Sequence, residues 1–424
     1  MKLNYKRTIF VGLAFLSICA FWQMYDSIIP LILQNTFHLG ETTIGFVMSI
    51  DNVLAVFLLP IIGALSDKVN TRLGKRTPFI LVGTLLSVIC MLFLPLSDRT
   101  QNLWLFVISL GLTLIAMALY RSPSVALMPD LTPKPLRSKA NAIINLMGAI
   151  GGVYALILIS KLVKKESNPS YLPVFIGVAA IMLLAVLLLM LTIKEKPLAT
   201  KIAQEYPEEM KLELEEENEP LTVAVKKSLR FILISISLWF MAYNAVTTAF
   251  SRYATKVWKL EGGGFANCLM VATVAAILSY IPIGMLSSRI GRKKSILGGI
   301  IIMTGCYVAA AFYPTYHPTI NIFFALIGFS WAAINVNSLP MVVEMSKGSD
   351  IGKFTGLYYT FSMSAQIVTP ILSGVFLQYV SYRTLFPYAV LFMLFAFFTM
   401  TQVKHGDSRP IKKQSVIEHF DVED

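Results

Sequence analysis

The chain has 424 residues, 56% of them hydrophobic and 14% charged, with a mean hydropathy of +0.67. A water-soluble globule of that composition would be left with far too much apolar surface, so the sequence points to segments that cross a bilayer, at about 20 apolar residues each. The formal net charge of +12 does not signal nucleic acid: its basic residues lie in loops between apolar runs, where they set membrane topology.

In chain order, the first run, Ile9–Leu33, follows Lys2, Lys6 and Arg7. It begins like a secretion signal, but it is too long and lacks a small-residue cleavage site, so it reads as the first membrane helix. About eleven more follow: Thr43–Leu65, Pro78–Leu96, Leu103–Met128, Ala140–Ser160, Leu172–Ile193, Leu229–Phe250, Asn267–Leu286, Ile296–Phe312, Ile320–Val343, Thr355–Val380 and Thr384–Val403. Lys and Arg concentrate in every second loop, at Lys68–Arg76, Lys134–Lys139, Arg289–Lys294, Lys347–Lys353 and Lys404–Lys413. Opposite loops carry fewer: Arg99, Lys161, Lys164, Lys165, Arg252, Lys256, Lys259 and Arg383. This bias predicts that both termini are cytoplasmic, although the cluster at Lys161–Lys165 runs against it. The stretch 194–228, with "EYPEEMKLELEEENEP", is too polar to bury a core and reads as an acidic cytoplasmic linker. The expected organisation is a six-helix half over 1–193, the linker, a second six-helix half over 229–403, and a cytoplasmic tail over 404–424.

The loop "GALSDKVNTRLGKRTPF" after the second segment has a looser copy, "GMLSSRIGRKKS", after the eighth. Gly284 follows Gly63 by 221 residues, Asn244 follows Asp26 by 218, and Glu344 follows Asp130 by 214. Three markers at nearly one offset indicate two parallel pseudo-repeats.

The spacing of Gly63, Asp67, Gly74, Lys75 and Arg76 resembles the signature loop of the major facilitator superfamily. Its longer form, ending in Pro78 and Phe79, together with "SPSVALMPDLTP", resembles the glycoside–pentoside–hexuronide:cation symporters and the sucrose/proton symporters. The resemblance implies an all-α membrane protein of about 12 transmembrane helices in the major facilitator fold. It also implies a cytoplasmic latch that favours the outward-open state, with Asp67 facing basic loop residues and the end of the eleventh helix. Gly63, Asp67, Arg72, Gly74, Lys75, Arg76, Asp130 and Arg137 would form the latch in the first half; Gly284, Arg292 and Glu344 are its counterparts in the second. Melibiose-type permeases hold sodium with carboxylates on helices two and four, where this chain has Ala55, Leu59 and Arg121. Two apolar groups and a guanidinium cannot ligate a hard cation, so a proton is the expected coupling ion.

Three charges fall inside apolar runs: Asp26, Asp51 and Arg121. Such groups are expensive in a membrane and face a cavity or a partner. Asp26 or Asp51 is therefore the candidate protonation site and Arg121 its modulator; the alternative is a static ion pair. Candidate substrate contacts, placed near mid-membrane between the halves, are Trp22, Gln23 and Tyr25; Trp239, Tyr243 and Asn244; Trp331, Asn335 and Asn337; and Gln366. Asn335 repeats the position of Arg121, 214 residues on. Such aromatics also serve as packing or interfacial residues, and such amides also bond neighbouring helices.

No P-loop, H-E-x-x-H or G-x-S-x-G occurs. The four Cys residues (Cys19, Cys90, Cys268 and Cys306) lie in apolar runs, spaced for neither disulfides nor zinc. No enzyme activity, metal or other cofactor is expected. The expected protein is a monomeric, multi-pass transporter of the cell membrane that takes up a sugar with a proton. The alternatives are a proton-driven exporter of amphipathic compounds and a non-transporting sensor of the same fold.

Overall fold

The computed structural model describes residues 3–133, 136–166, 169–205, 222–345 and 351–407. Part of the acidic linker (206–221), most of the tail (408–424), Lys134 and Lys347 lie outside the described residues.

Thirteen α-helices are described: α1 (Tyr5–Asn35), α2 (Glu41–Lys68), α3 (Thr77–Arg99), α4 (Leu103–Asp130), α5 (Arg137–Leu162), α6 (Leu172–Thr192), α7 (Glu195–Glu205), α8 (Val223–Lys256), α9 (Phe265–Ile290), α10 (Arg292–Ala311), α11 (Ile320–Val343), α12 (Ile351–Tyr379) and α13 (Leu385–Thr401). All but α7 are long and apolar enough to cross a membrane. Many run past their hydropathy-defined ends, and polar side chains cap some of their starts. Asn4 accepts from the Arg7 amide before α1, and Asn102 from the Leu105 amide before α4, both at 3.0 Å.

The chain forms two compact units. One comprises 1–39, 50–211 and 261–266; the other comprises 40–49, 212–260 and 267–424. In the first, α1 packs on α5 and α6, and α3 on α4 and α6; in the second, α8 packs on α12 and α13, and α10 on α11 and α13. The same four pairings thus recur in each unit. Small residues make them possible: a Cβ on Gly83 of α3 would stand 2.7 Å from the Tyr120 amide of α4, and one on Gly299 of α10 would stand 2.9 Å from the Ser330 carbonyl of α11.

Two expectations need correction. The stretch 194–228 is not wholly a solvated linker, since α7 starts at Glu195, whose side chain is buried. Arg252 is not in a loop: α8 continues to Lys256 and Arg252 is 3% exposed.

Candidate functional site

In the first unit, α1, α2 and α4 bring together Asp26, Asp51 and Arg121, all half-buried. The Arg121 guanidinium carbon lies 5.9 Å from the centre of the Trp22 ring, within cation–π range. Asp26 and Asp51 are within electrostatic reach of each other, and Asp51 of Arg121. No ion pair joins the three; Asp51 instead accepts a 2.8 Å hydrogen bond from the Asn52 amide. Tyr25 is fully buried, edge-on to Trp22 at 5.3 Å, and its hydroxyl has no partner among the described residues. Gln23 donates to Ser27 Oγ at 3.3 Å.

The second unit offers aromatic and amide groups instead. Tyr243 of α8 lies flat on Trp331 of α11, with centroids 3.7 Å apart and planes within 3°. Phe240 meets the same indole edge-on at 5.3 Å. Trp239 is fully buried; its Nε1 and the Nδ2 of Asn244 are buried without a hydrogen-bond partner among the described residues. Asn335 is buried on α11, and Gln366 is half-buried on α12. Asn337 bonds helices together: its Nδ2 donates to Ser287 Oγ of α9 at 2.9 Å and to the Ala333 carbonyl at 2.8 Å.

At the α2–α3 turn, Arg76 is the hub of the expected latch. Its Nε donates to Asp130 at 2.8 Å, and its two terminal nitrogens donate to Asp67 and Ser66. Burial works against the Arg76 charge, but Asp130 and Asp67 outweigh it and hold the pKa above its ordinary value. Gly63 contributes its carbonyl, 3.4 Å from Arg76. Gly74 makes the turn with φ +124°, a backbone conformation that glycine adopts without strain. Arg137 donates to the Thr132 and Pro129 carbonyls, both at 3.2 Å, at the end of α4. Arg72 and Lys75 have exposed side chains; Lys75 contributes only its backbone amide, to Glu195. At the α9–α10 turn, Arg292 pairs with Glu344, and Gly291 has φ +95°. Gly284 is half-buried within α9, seven residues before it.

Three charged sites were missed by the sequence reading. Glu41, at the start of α2, and Arg252 of α8 lie 2.8 Å apart in the second unit, out of line for a hydrogen bond, with side chains 3% and 4% exposed. Tyr382 donates to the same carboxylate at 2.5 Å. Both charges stand just beyond apolar runs, where they read as loop residues. The other two centre on Glu195 in the first unit and Asp407 in the second, which follow the sixth and twelfth membrane helices.

The major facilitator superfamily model matches residues 11–278 and 262–419. This chain belongs to the major facilitator superfamily. An uncharacterised MFS-type transporter of Methanocaldococcus jannaschii is 25% identical over 83% of both chains. A sucrose transport protein of Arabidopsis thaliana is 26% identical over 31% of this chain, a match that spans only a quarter of that protein. Among solved structures, the nucleoside transporter NupG superposes with a TM-score of 0.69 at 16% identity, over 94% of this chain and all of that one. A bacterial homologue of the human lysosomal transporter Spinster superposes with a TM-score of 0.68 at 15% identity, over 95% of this chain and 98% of that one. At those identities the likeness is one of fold: twelve membrane helices in the superfamily's arrangement.

Proposed function

We propose that this superfamily member takes up a sugar or glycoside together with a proton, by alternating access across the cell membrane. The observation that carries the reading is the grouping of Asp26, Asp51 and Arg121 in membrane helices of one unit, near one another yet without an ion pair. A static pair closes to contact, as Arg252 does with Glu41 at 2.8 Å. A carboxylate left near a guanidinium but not on it stays open to a proton, and its proton affinity changes as that distance changes. Asp26 or Asp51 carries the proton, and Arg121 modulates it.

The stacked Tyr243 and Trp331 present an aromatic face to the apolar side of a sugar ring. Asn244, Asn335 and Gln366 of the same unit supply groups for hydroxyls. The partial match to a sucrose transport protein supports the same substrate class. The basic α2–α3 turn is then cytoplasmic, and the Arg76 cluster is a latch whose opening accompanies inward opening.

The test is accumulation of labelled mono- and disaccharides by proteoliposomes under an imposed proton gradient. Uphill accumulation of one sugar, lost with a protonophore, is the expected result. Proton-driven movement of amphipathic cations without any sugar uptake would establish the exporter instead. Sugar binding without exchange across the membrane would establish a sensor.

A further inference from the structure

Glu195 opens α7, three residues after α6 ends, in a stretch whose composition predicts solvation. Instead it is 3% exposed, and its carboxylate accepts from the backbone amides of Lys75 at 2.7 Å, Arg76 at 2.9 Å and Thr77 at 2.8 Å, and from Thr77 Oγ1 at 2.7 Å. The amides of Thr77 and its predecessors lie at the start of α3 and have no acceptor within the helix. Arg76, in the N-cap position, gives no side-chain cap. A distant carboxylate therefore does the capping, where the helix dipole favours negative charge. Gly74 leaves room for it: a Cβ there would lie 2.3 Å from the Glu195 carboxyl carbon.

The second unit repeats the device. Asp407, 212 residues on, follows the end of α13 and accepts from the Lys293 amide at 2.7 Å, in the first turn of α10. The preceding Gly291 gives no side-chain cap, and a Cβ there would lie 3.1 Å from Asp407 Oδ1. Lys293 Nζ returns the contact, donating to the carbonyls of Thr401 at 2.9 Å and Val403 at 2.6 Å. In each unit, the carboxylate beyond the sixth helix holds the first turn of the third. That turn carries the arginine which reaches the carboxylate ending the fourth helix: Asp130 for Arg76, Glu344 for Arg292.

We propose that Glu195 and Asp407 are positioning residues of the transport cycle: each fixes the start of its unit's third helix, and so the reach of the latch arginine. The proposal rests on the reading of the arginine clusters as latches. Glu195, with four donors against one for Asp407, has the larger effect.

The test is a double-mutant cycle between Glu195→Gln and Arg76→Gln in reconstituted full-length protein. Two quantities are read. One is the maleimide labelling rate of Leu131→Cys, a buried position beside Asp130, in a background with the four native cysteines replaced by alanine. The other is transport velocity at saturating substrate. Glu195→Gln is expected to raise labelling and slow transport severalfold without changing KM. Glu195→Asp is expected to restore much of both, and the double mutant to match Arg76→Gln alone. Asp407→Asn is expected to do less. Multiplicative effects in the double mutant, or unchanged labelling in Glu195→Gln, would overturn the proposal. Labelling needs no substrate, so a failed transport reading leaves it interpretable. If Glu195→Gln does not fold, the cycle is run in the second unit with Asp407→Asn and Arg292→Gln, labelling Met345→Cys, a buried position beside Glu344, and multiplicative effects or unchanged labelling in Asp407→Asn would overturn the proposal.

Discussion

The α2–α3 and α9–α10 turns are copies of one design, with different amounts of charge. Gly74 and Gly291 both have positive φ, and Arg76 and Arg292 each reach a carboxylate at the end of the next helix but one. Yet Arg76 also holds Asp67 and Ser66, whereas the position matching Asp67 is Ser288, which bonds the Met285 carbonyl of its own helix at 2.7 Å. The membrane interior is divided in the same way. The repeat positions matching Asp26 and Arg121 of the first half are occupied by Asn244 and Asn335 in the second. The charges that interrupt the apolar runs (Asp26, Asp51 and Arg121) all lie in the first half, while the second presents amides and an aromatic stack. On the proposed function this is a division of labour: proton chemistry and the stronger latch in the first half, an aromatic surface for substrate in the second.

The largest expected effect comes from erasing the difference in the interior. Asp26→Asn/Asp51→Asn abolishes uphill accumulation, and adding Asn244→Asp to that background does not restore it; accumulation ratios in energised vesicles check both. Next is the buried Glu41–Arg252 pair. Removing one partner strands a charge, so Glu41→Gln should lower stability by about 3–5 kcal/mol. Glu41→Gln/Arg252→Met should lie closer to wild type, as read by thermal unfolding in detergent. The latches come third. Arg76→Met leaves two carboxylates unpaired and should slow transport by about tenfold, against a few-fold for Arg292→Met. The smallest effect is at the stack: Trp331→Ala should raise KM with little change in maximal velocity, which initial-rate kinetics at several sugar concentrations resolves.

The fold was legible because its signals are long: apolar runs of membrane length, and a repeat offset that three separate markers share. The interior charges Asp26, Asp51 and Arg121 were legible for the opposite reason, as rare events in those runs. Glu41, Arg252, Glu195 and Asp407 were not. Each stands at the edge of an apolar run, where a charge is ordinarily solvated, and only the chain's three-dimensional course gives it a partner. Arg252 pairs with a residue more than 200 positions away, and Glu195 caps a helix more than 100 positions upstream. Among the candidate latch residues, the structure brings Arg76, Asp67 and Asp130 into contact, whereas Arg72 and Lys75 have exposed side chains that the motif did not foretell.

The most direct measurement is external pH in a weakly buffered suspension of de-energised cells expressing the protein, with mono- and disaccharides added one at a time. Proton–sugar uptake located in the first half predicts alkalinisation with one sugar, absent in Asp26→Asn/Asp51→Asn and preserved in Asn244→Ala, even if slower. Alkalinisation that survives in the double mutant would contradict the assignment of the proton to these carboxylates. No response to any sugar, with intact protein in the membrane, would contradict sugar symport itself.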